Sequence, residues 1–513
     1  MVASPHALAS AAGADALRAG GSAVDAAIAC ASTLGVIYPH MCGIGGDAFW
    51  LLYDAAARKV SYLDGGGRAA RAATLERFSG QSEIAFRGIA PATLTTPGAV
   101  ASFCAAHERY GKLPLARCLK DAIHYARQGY PVSARLARWI SETAAELARD
   151  PASAALFLPE GQSVLRNPRL AGTLEAIAAQ GRAGFYEGEV AAHLARLGGF
   201  FTVADLAAQQ AHWGEPIRGT YRGVTIYETP APTQGFTVLE MLNLLEPLGL
   251  AEREFLGPDH VHLLVQAKQI AYHDRDRWLA DPRFSPVPIE RLISKAHADA
   301  RRALMDPARA LPWDRVPSEG TLAGDTVYVA AVDGAGNAAS LIFSLYGVFG
   351  ACITSAPTGV VLQNRGAYFS LDPAHPNRLE PGKVPLHTLI ASLAFRNGKP
   401  WAVLGCMGAD GQPQIHVQAY VAMIDFGLDI QQALDAPRWL SGRFALGEAR
   451  DTLHIEARYP RATIDELARR GHPLERWGDW NELAGHANGI TIDENGALAG
   501  AADPRSDGAA VGY

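Results

Sequence analysis

Cysteine is scarce in this chain. Six occur in 513 residues, at Cys30, Cys42, Cys104, Cys118, Cys352 and Cys406. They stand singly, without a C-x-x-C pair or a zinc-ligand spacing, which argues against a disulfide framework and a structural zinc site and reads as buried reduced thiols. No apolar run reaches the roughly 18 residues that a membrane-spanning helix needs. The opening Met1-Val2-Ala3-Ser4-Pro5-His6 lacks a basic start followed by an apolar stretch, so no secretory signal is visible and the expected compartment is the cytoplasm. Excess positive charge is also missing: 46 basic against 52 acidic residues give a formal net charge of −6, the wrong balance for a nucleic-acid partner. Neither G-x-S-x-G nor H-E-x-x-H occurs, so a serine elbow and a zinc protease lack support. Gly43-Ile44-Gly45-Gly46 is not G-x-G-x-x-G opening a helix, and Phe49 to Tyr53 reads as a strand after it, which speaks against a dinucleotide turn.

Hydrophobic residues make up 49% of the chain, enough for a large core. Residues 1 to about 310 look helix-rich. Ala7 to Ala19 and Ala23 to Leu34 have helical periodicity, separated by a stop at Gly20-Gly21 and a cap at Ser22. Ala134 to Arg149 and Pro258 to Leu279 read as amphipathic helices. Phe49 to Tyr53, Val60 to Leu63 and Tyr221 to Tyr227 read as strands. Leu311 to Gly324 has no periodicity and reads as an exposed loop. Beyond it strands dominate: Val327 to Val332, a turn over 333–337, the returning Ala338 to Leu345, and hairpins around Asn397-Gly398 and Asn495-Gly496. Antiparallel strands with helices outside them predict a layered α/β/β/α body.

The informative segment is Gly324-Asp325-Thr326-Val327-Tyr328. Strand propensity alone accounts for a threonine at a strand start. A break before Thr326 would change its chemistry, because the hydroxyl and a free α-amine would then share one residue. That amine has a reference pKa near 8 and can serve as the base.

Thr326 with Asp333, Gly336, Asn337 and Ala338 resembles the small-subunit start of the γ-glutamyltransferases. Gly20-Gly21-Ser22-Ala23-Val24-Asp25-Ala26-Ala27, Pro39 through Gly46, Thr96-Pro97-Gly98, Tyr221-Arg222-Gly223, Asp281-Pro282, Ala436-Pro437-Arg438 and Asp503-Pro504-Arg505-Ser506 follow in the family's order. The resemblance spans essentially the whole chain. It implies the αββα fold of the N-terminal nucleophile hydrolases and autocleavage between Asp325 and Thr326, giving a large subunit (1–325) and a small subunit (326–513). It makes Thr326 the nucleophile and Ser344 its hydroxyl partner. Gly408-Ala409 falls on the family's oxyanion turn, whose N–H groups stabilise a tetrahedral intermediate. No cofactor or metal is implied. The partners are a small-molecule substrate and the two subunits of one precursor, with self-association left open.

The glutamate-reading positions depart from the family. Its arginine falls on Gly66, leaving Arg68 as the nearest substitute. Its asparagine falls on Tyr346. Its two ammonium-binding residues fall on Arg365 and Tyr368, and its serine pair falls on His387-Thr388. The stretch from Phe369 to Pro381 is too short for the family's lid. With Arg and Tyr where a carboxylate would hold an ammonium, the expected substrate is a carboxylated amide without an ammonium group. Gly67-Arg68-Ala69 and Leu362-Gln363-Asn364-Arg365-Gly366 resemble a cytoplasmic branch that includes oxamate amidohydrolase, an enzyme of purine-ring nitrogen salvage. A γ-glutamyl hydrolase or transferase acting on glutathione, an acylase removing dicarboxylic side chains from β-lactams, and an uncleaved non-catalytic scaffold are the competing readings.

Overall fold

A computed structural model describes residues 1–317, 325–442 and 449–513, with the main chain alone for Asp325. Its centre is a pair of stacked antiparallel sheets. The seven-stranded sheet runs in the order Ala509–Val511, Val2–Ser4, Asp325–Val332, Ala338–Tyr346, Asp47–Asp54, Lys59–Gly65, His212–Gly214. The six-stranded sheet runs Leu498–Ala502, Ala487–Ile492, Lys399–Cys406, Ser392–Arg396, Val224–Glu228, Ile217–Tyr221. Both sheets draw strands from either side of residue 325, so the two segments interleave instead of forming separate bodies.

The period-2 alternation of a strand sends its residues to two different cores. Val327, Val329 and Ala331 pack with helices Ala7–Arg18, Ala23–Ile37 and Ala99–Tyr110 outside the larger sheet. Tyr328, Ala330 and Val332 pack between the sheets, against Leu389, Leu393, Val403 and Ile490. The second helical layer, including Gly235–Leu245, Pro258–Trp278 and Gln412–Ile424, covers the smaller sheet. The result is the four-layer αββα sandwich. Among the described residues no helix is long and apolar enough to cross a membrane.

Most expected elements form. Ser22 caps the helix Ala23–Ile37 in a reciprocal box with Asp25, the Ser22 N–H donating to Asp25 Oδ2 at 2.8 Å. All six cysteines are free thiols, and five are buried. Asp333, in the turn that matches the family, accepts from the N–H groups of Ala335 and Asn337 and from Ala23 N, tying the turn to a helix start.

Three expectations need correction. The helix predicted over 134–149 breaks at Thr143 into Ala134–Glu142 and Ala144–Leu147. The strand predicted over 221–227 is a hairpin, Ile217–Tyr221 and Val224–Glu228, whose turn residues Arg222 and Gly223 have φ of 50° and 80°. The 311–324 loop carries buried Leu311 and Val316 in the core of the second helical layer, and 318–324 lie outside the described residues. The helix Gln412–Ile424 was also not anticipated. It is buried on nearly every side, so it carries no amphipathic stripe to read.

Candidate active site

Thr326, Ser344 and Asp47 lie on three neighbouring strands of the larger sheet. Strand parity puts all three on the face that meets the second sheet, with Tyr328, Ile342 and Phe49. All three are essentially buried. Val327 pairs with Phe343 and Asp325 with Tyr346, so Thr326 opposes two residues, Ser344 and Leu345. This bulge re-aims the Ser344 hydroxyl toward Thr326. Thr326 Oγ1 donates to Ser344 Oγ at 3.2 Å, and Ser344 Oγ accepts the Tyr346 N–H at 2.7 Å. Tyr346 ends the bulge with φ of 79°, a left-handed conformation uncommon for a bulky side chain. Gly46 completes the packing: a Cβ there would stand 2.0 Å from the Ser344 carbonyl oxygen. The glycine-rich segment therefore serves close approach of backbones.

Arg365 opens a short turn, Arg365–Tyr368, and is 1% exposed. Its guanidinium stacks 4.3 Å from the Tyr346 ring centroid and 5.8 Å from that of Tyr368. Its Nη1 donates to Thr388 Oγ1 at 3.3 Å. Among the described residues its Nε has no partner, and no carboxylate lies within ion-pair distance of the guanidinium. His387 is fully buried beside Thr388, its ring edge-on to Phe49 at 4.6 Å and its Nε2 3.3 Å from Asp47 Oδ2. Burial and the charge of Arg365 hold His387 well below the ordinary imidazole range, so it is neutral. Asp47 Oδ1 accepts from the N–H groups of Gly67 and Gly98 and from Gln363 Nε2. Burial nevertheless pushes its carboxyl up to about 7, against the pull of Arg365.

The turn Gly408-Ala409 follows the strand Lys399–Cys406. Gly408 has φ of 143° and Ala409 of 46°, so the alanine holds a left-handed backbone that favours glycine. Tyr368 donates its hydroxyl to Asp410 Oδ2 at 2.8 Å, and Arg275 Nη1 donates to Asp410 Oδ1 at 2.6 Å.

Tyr346, Arg365, Tyr368, His387 and Thr388 are thus brought together. Arg68 is directed elsewhere: its Nη1 points to the Gly382 carbonyl oxygen at 3.5 Å, and its charge is felt with those of Asp64, Arg283 and Asp281. No arginine can stand at Gly66 without displacing its neighbours, because even a Cβ there would meet Val384 Cγ1 at 2.9 Å and Phe49 Cζ at 3.0 Å. The 369–381 stretch closes into a tight loop through the Ser370 N–H donating to Asn377 O at 3.0 Å. One inference from sequence needs amending. The region has not lost its anions: Asp410 and Asp47 supply carboxylates from other elements. Sequence reasoning missed both, although each directly follows a glycine-rich turn. It also missed Gln234, which immediately precedes the helix Gly235–Leu245, and Arg275 on the helix Pro258–Trp278; both reach the turn from elements distant along the chain.

Comparison with known proteins places the whole chain. The chain is 41% identical to the glutathione hydrolase-like YwrD proenzyme of Bacillus subtilis, covering all of this chain and 98% of that one. It is 39% identical to the oxamate amidohydrolase proenzyme of Klebsiella pneumoniae over the same shares. The crystal structure of cephalosporin acylase from Bacillus halodurans superposes with a TM-score of 0.90 at 37% identity, over 99% of this chain and 94% of that one. The family described as gamma-glutamyltranspeptidase matches residues 9–513. With its αββα sandwich, the chain belongs to the gamma-glutamyltranspeptidase family of N-terminal nucleophile hydrolases and is an amide hydrolase.

Proposed function

We propose that the chain cleaves itself between Asp325 and Thr326 and then hydrolyses a small amide that carries a carboxylate and no ammonium, with oxamate the favoured substrate. Arg365 carries this reading. A buried guanidinium that, among the described residues, has one long hydrogen bond and no acid within ion-pair distance is a costly arrangement, and a substrate carboxylate would relieve it. Arg offers a planar fork that matches a carboxylate at two points. Thr388 stands beside it, and neutral His387 presents a ring nitrogen nearby.

The chemistry follows from the nucleophile. The freed α-amine of Thr326 takes the proton from Oγ1, and Oγ1 attacks the amide carbon. The Ser344 hydroxyl orients Oγ1. The N–H groups of the Gly408-Ala409 turn stabilise the oxyanion, worth about 3 kcal/mol per donor. Collapse expels ammonia, which takes its proton from the ammonium of Thr326, and leaves an ester on the threonine. Water then attacks the ester, and for oxamate the product is oxalate.

The second reading is a γ-glutamyl amide, and Asp410 is the observation that favours it, as an anion close to Tyr368. Both its oxygens are already engaged by Arg275 and Tyr368, which leaves it poorly disposed toward an ammonium. Ammonia release and γ-glutamyl transfer should be measured side by side on oxamate, a glutaryl amide and a γ-glutamyl amide. A higher kcat/KM on oxamate than on the γ-glutamyl amide is the expected result. The reverse order restores the glutathione reading.

A further inference from the structure

Ala409 poses a mechanical problem. Its φ of 46° lies in the left-handed region, which a Cβ disfavours. Relaxing φ would turn the two peptide planes flanking Ala409 against each other; the Gly411 N–H, donating to the Gly408 carbonyl oxygen at 2.7 Å, ties down the preceding plane, which carries the Ala409 N–H, so the following carbonyl must be held as well. Something must hold the turn.

We propose that Gln234 and Arg275 form a positioning clamp that sets the aim of the N–H groups in the Gly408-Ala409 turn. This rests on the reading of that turn as the oxyanion site. Gln234 Nε2 donates to the Ala409 carbonyl oxygen at 3.0 Å and to the Thr388 carbonyl oxygen at 2.8 Å. Its Oε1 accepts from Arg275 Nη1 at 2.9 Å. An arginine can only donate, so it fixes which way the amide faces: oxygen to the guanidinium, nitrogen to the two carbonyls. The same Nη1 donates to Asp410 Oδ1 at 2.6 Å, and the Tyr272 hydroxyl donates to the Asp410 carbonyl oxygen. Arg275 and Gln234 are both buried, so these bonds are made away from water, where an unmade partner is expensive.

The clamp also spans the site. Through Thr388 it reaches the hydroxyl that binds Arg365, and through Asp410 it reaches Tyr368. Gln234 and Arg275 lie before residue 325, whereas the turn lies after it. Were the chain cut there, the clamp would hold one fragment's turn with the other fragment's side chains.

The test uses Gln234→Glu, which keeps size and the Arg275 contact but turns an acceptor toward two carbonyls, together with Gln234→Ala and Arg275→Lys. Turnover per folded chain, KM and melting temperature are measured on whichever amide the wild type hydrolyses best. Binding of an aliphatic boronate bearing one carboxylate, which forms a tetrahedral adduct with a hydroxyl nucleophile, is measured in parallel. The expected result is a fall in kcat of about 10- to 100-fold with KM within about threefold, and a matching loss of boronate affinity. Arg275→Lys, which keeps a donor, should lie between. If Gln234→Ala does not fold, Gln234→Glu gives the answer. A Gln234→Glu kcat within about twofold of wild type, or a loss confined to KM, overturns the clamp. A fall in kcat with unchanged boronate affinity instead overturns the turn's role in holding the oxyanion.

Discussion

Replacing Arg365 by Met removes the charge while keeping a long, apolar-bodied side chain that can pack on Tyr346 and Tyr368. Oxamate and oxamide make the sensitive pair of substrates, since they share size and scissile bond and differ in one carboxylate. A guanidinium and a carboxylate about 4 Å apart attract by roughly 4 kcal/mol at an effective dielectric near 20. That sets a ceiling of about a thousandfold on the oxamate-to-oxamide preference. Asp47 lowers the ceiling as it ionises. Its carboxyl sits at about 7, so it is largely neutral at pH 6 and largely charged at pH 8. The preference should therefore be largest near pH 6 and shrink toward pH 8. In Arg365→Met it should fall by about 100-fold at pH 6, with kcat/KM on oxamide changed by less than about threefold. Arg365→Lys keeps the charge and loses the fork, and should retain part of the preference. Ammonia release read at several pH values is sufficient. Equal losses on oxamate and oxamide would show that Arg365 does not hold the substrate carboxylate and serves the fold alone.

Other predictions follow from the same geometry. Thr326→Ala should abolish both chain cleavage and turnover, and Thr326→Ser should keep some of each, as judged by gel and ammonia release. Ser344→Ala removes one hydrogen bond to Oγ1 and strands the Tyr346 N–H, so kcat should drop about 10- to 100-fold without abolishing cleavage. Asp47→Asn should change how stability depends on pH. The folded-state value of Asp47 lies above its ordinary 3.8, so the cost of ionising it is absent below about pH 4 and complete above about 7. Three decades of proton affinity correspond to roughly 4 kcal/mol at most. The variant's melting temperature, relative to wild type, should be higher at pH 8 than at pH 5. A difference that does not vary with pH would refute it.

Much of this was legible in the sequence because strands advertise their parity. Val327 through Val332 and Ala338 through Leu345 are apolar on both faces, as two-sided burial requires. Asn397-Gly398 marked its hairpin because both residues need positive φ, observed at 49° and 74°. The family's ordered motifs pointed to Thr326, Ser344 and Gly408-Ala409, and the fold brings the first two within hydrogen-bond distance. The clamp was not legible. Gln234 before one helix and Arg275 within another belong to no motif, and their partners lie 175 and 135 positions away along the chain. Asp47 was hidden for a related reason: a single acid after glycines looks like a turn residue until its strand is placed beside Ser344.

Autocleavage, by which Thr326 would become an N-terminal residue, is the step on which the proposed chemistry rests. Its most direct test is N-terminal sequencing and intact mass of the purified protein after expression. The smaller fragment should begin Thr-Val-Tyr-Val-Ala-Ala, with Thr326→Ala remaining one uncut and inactive chain. A different first residue, or an intact chain that still hydrolyses amides, would contradict the account.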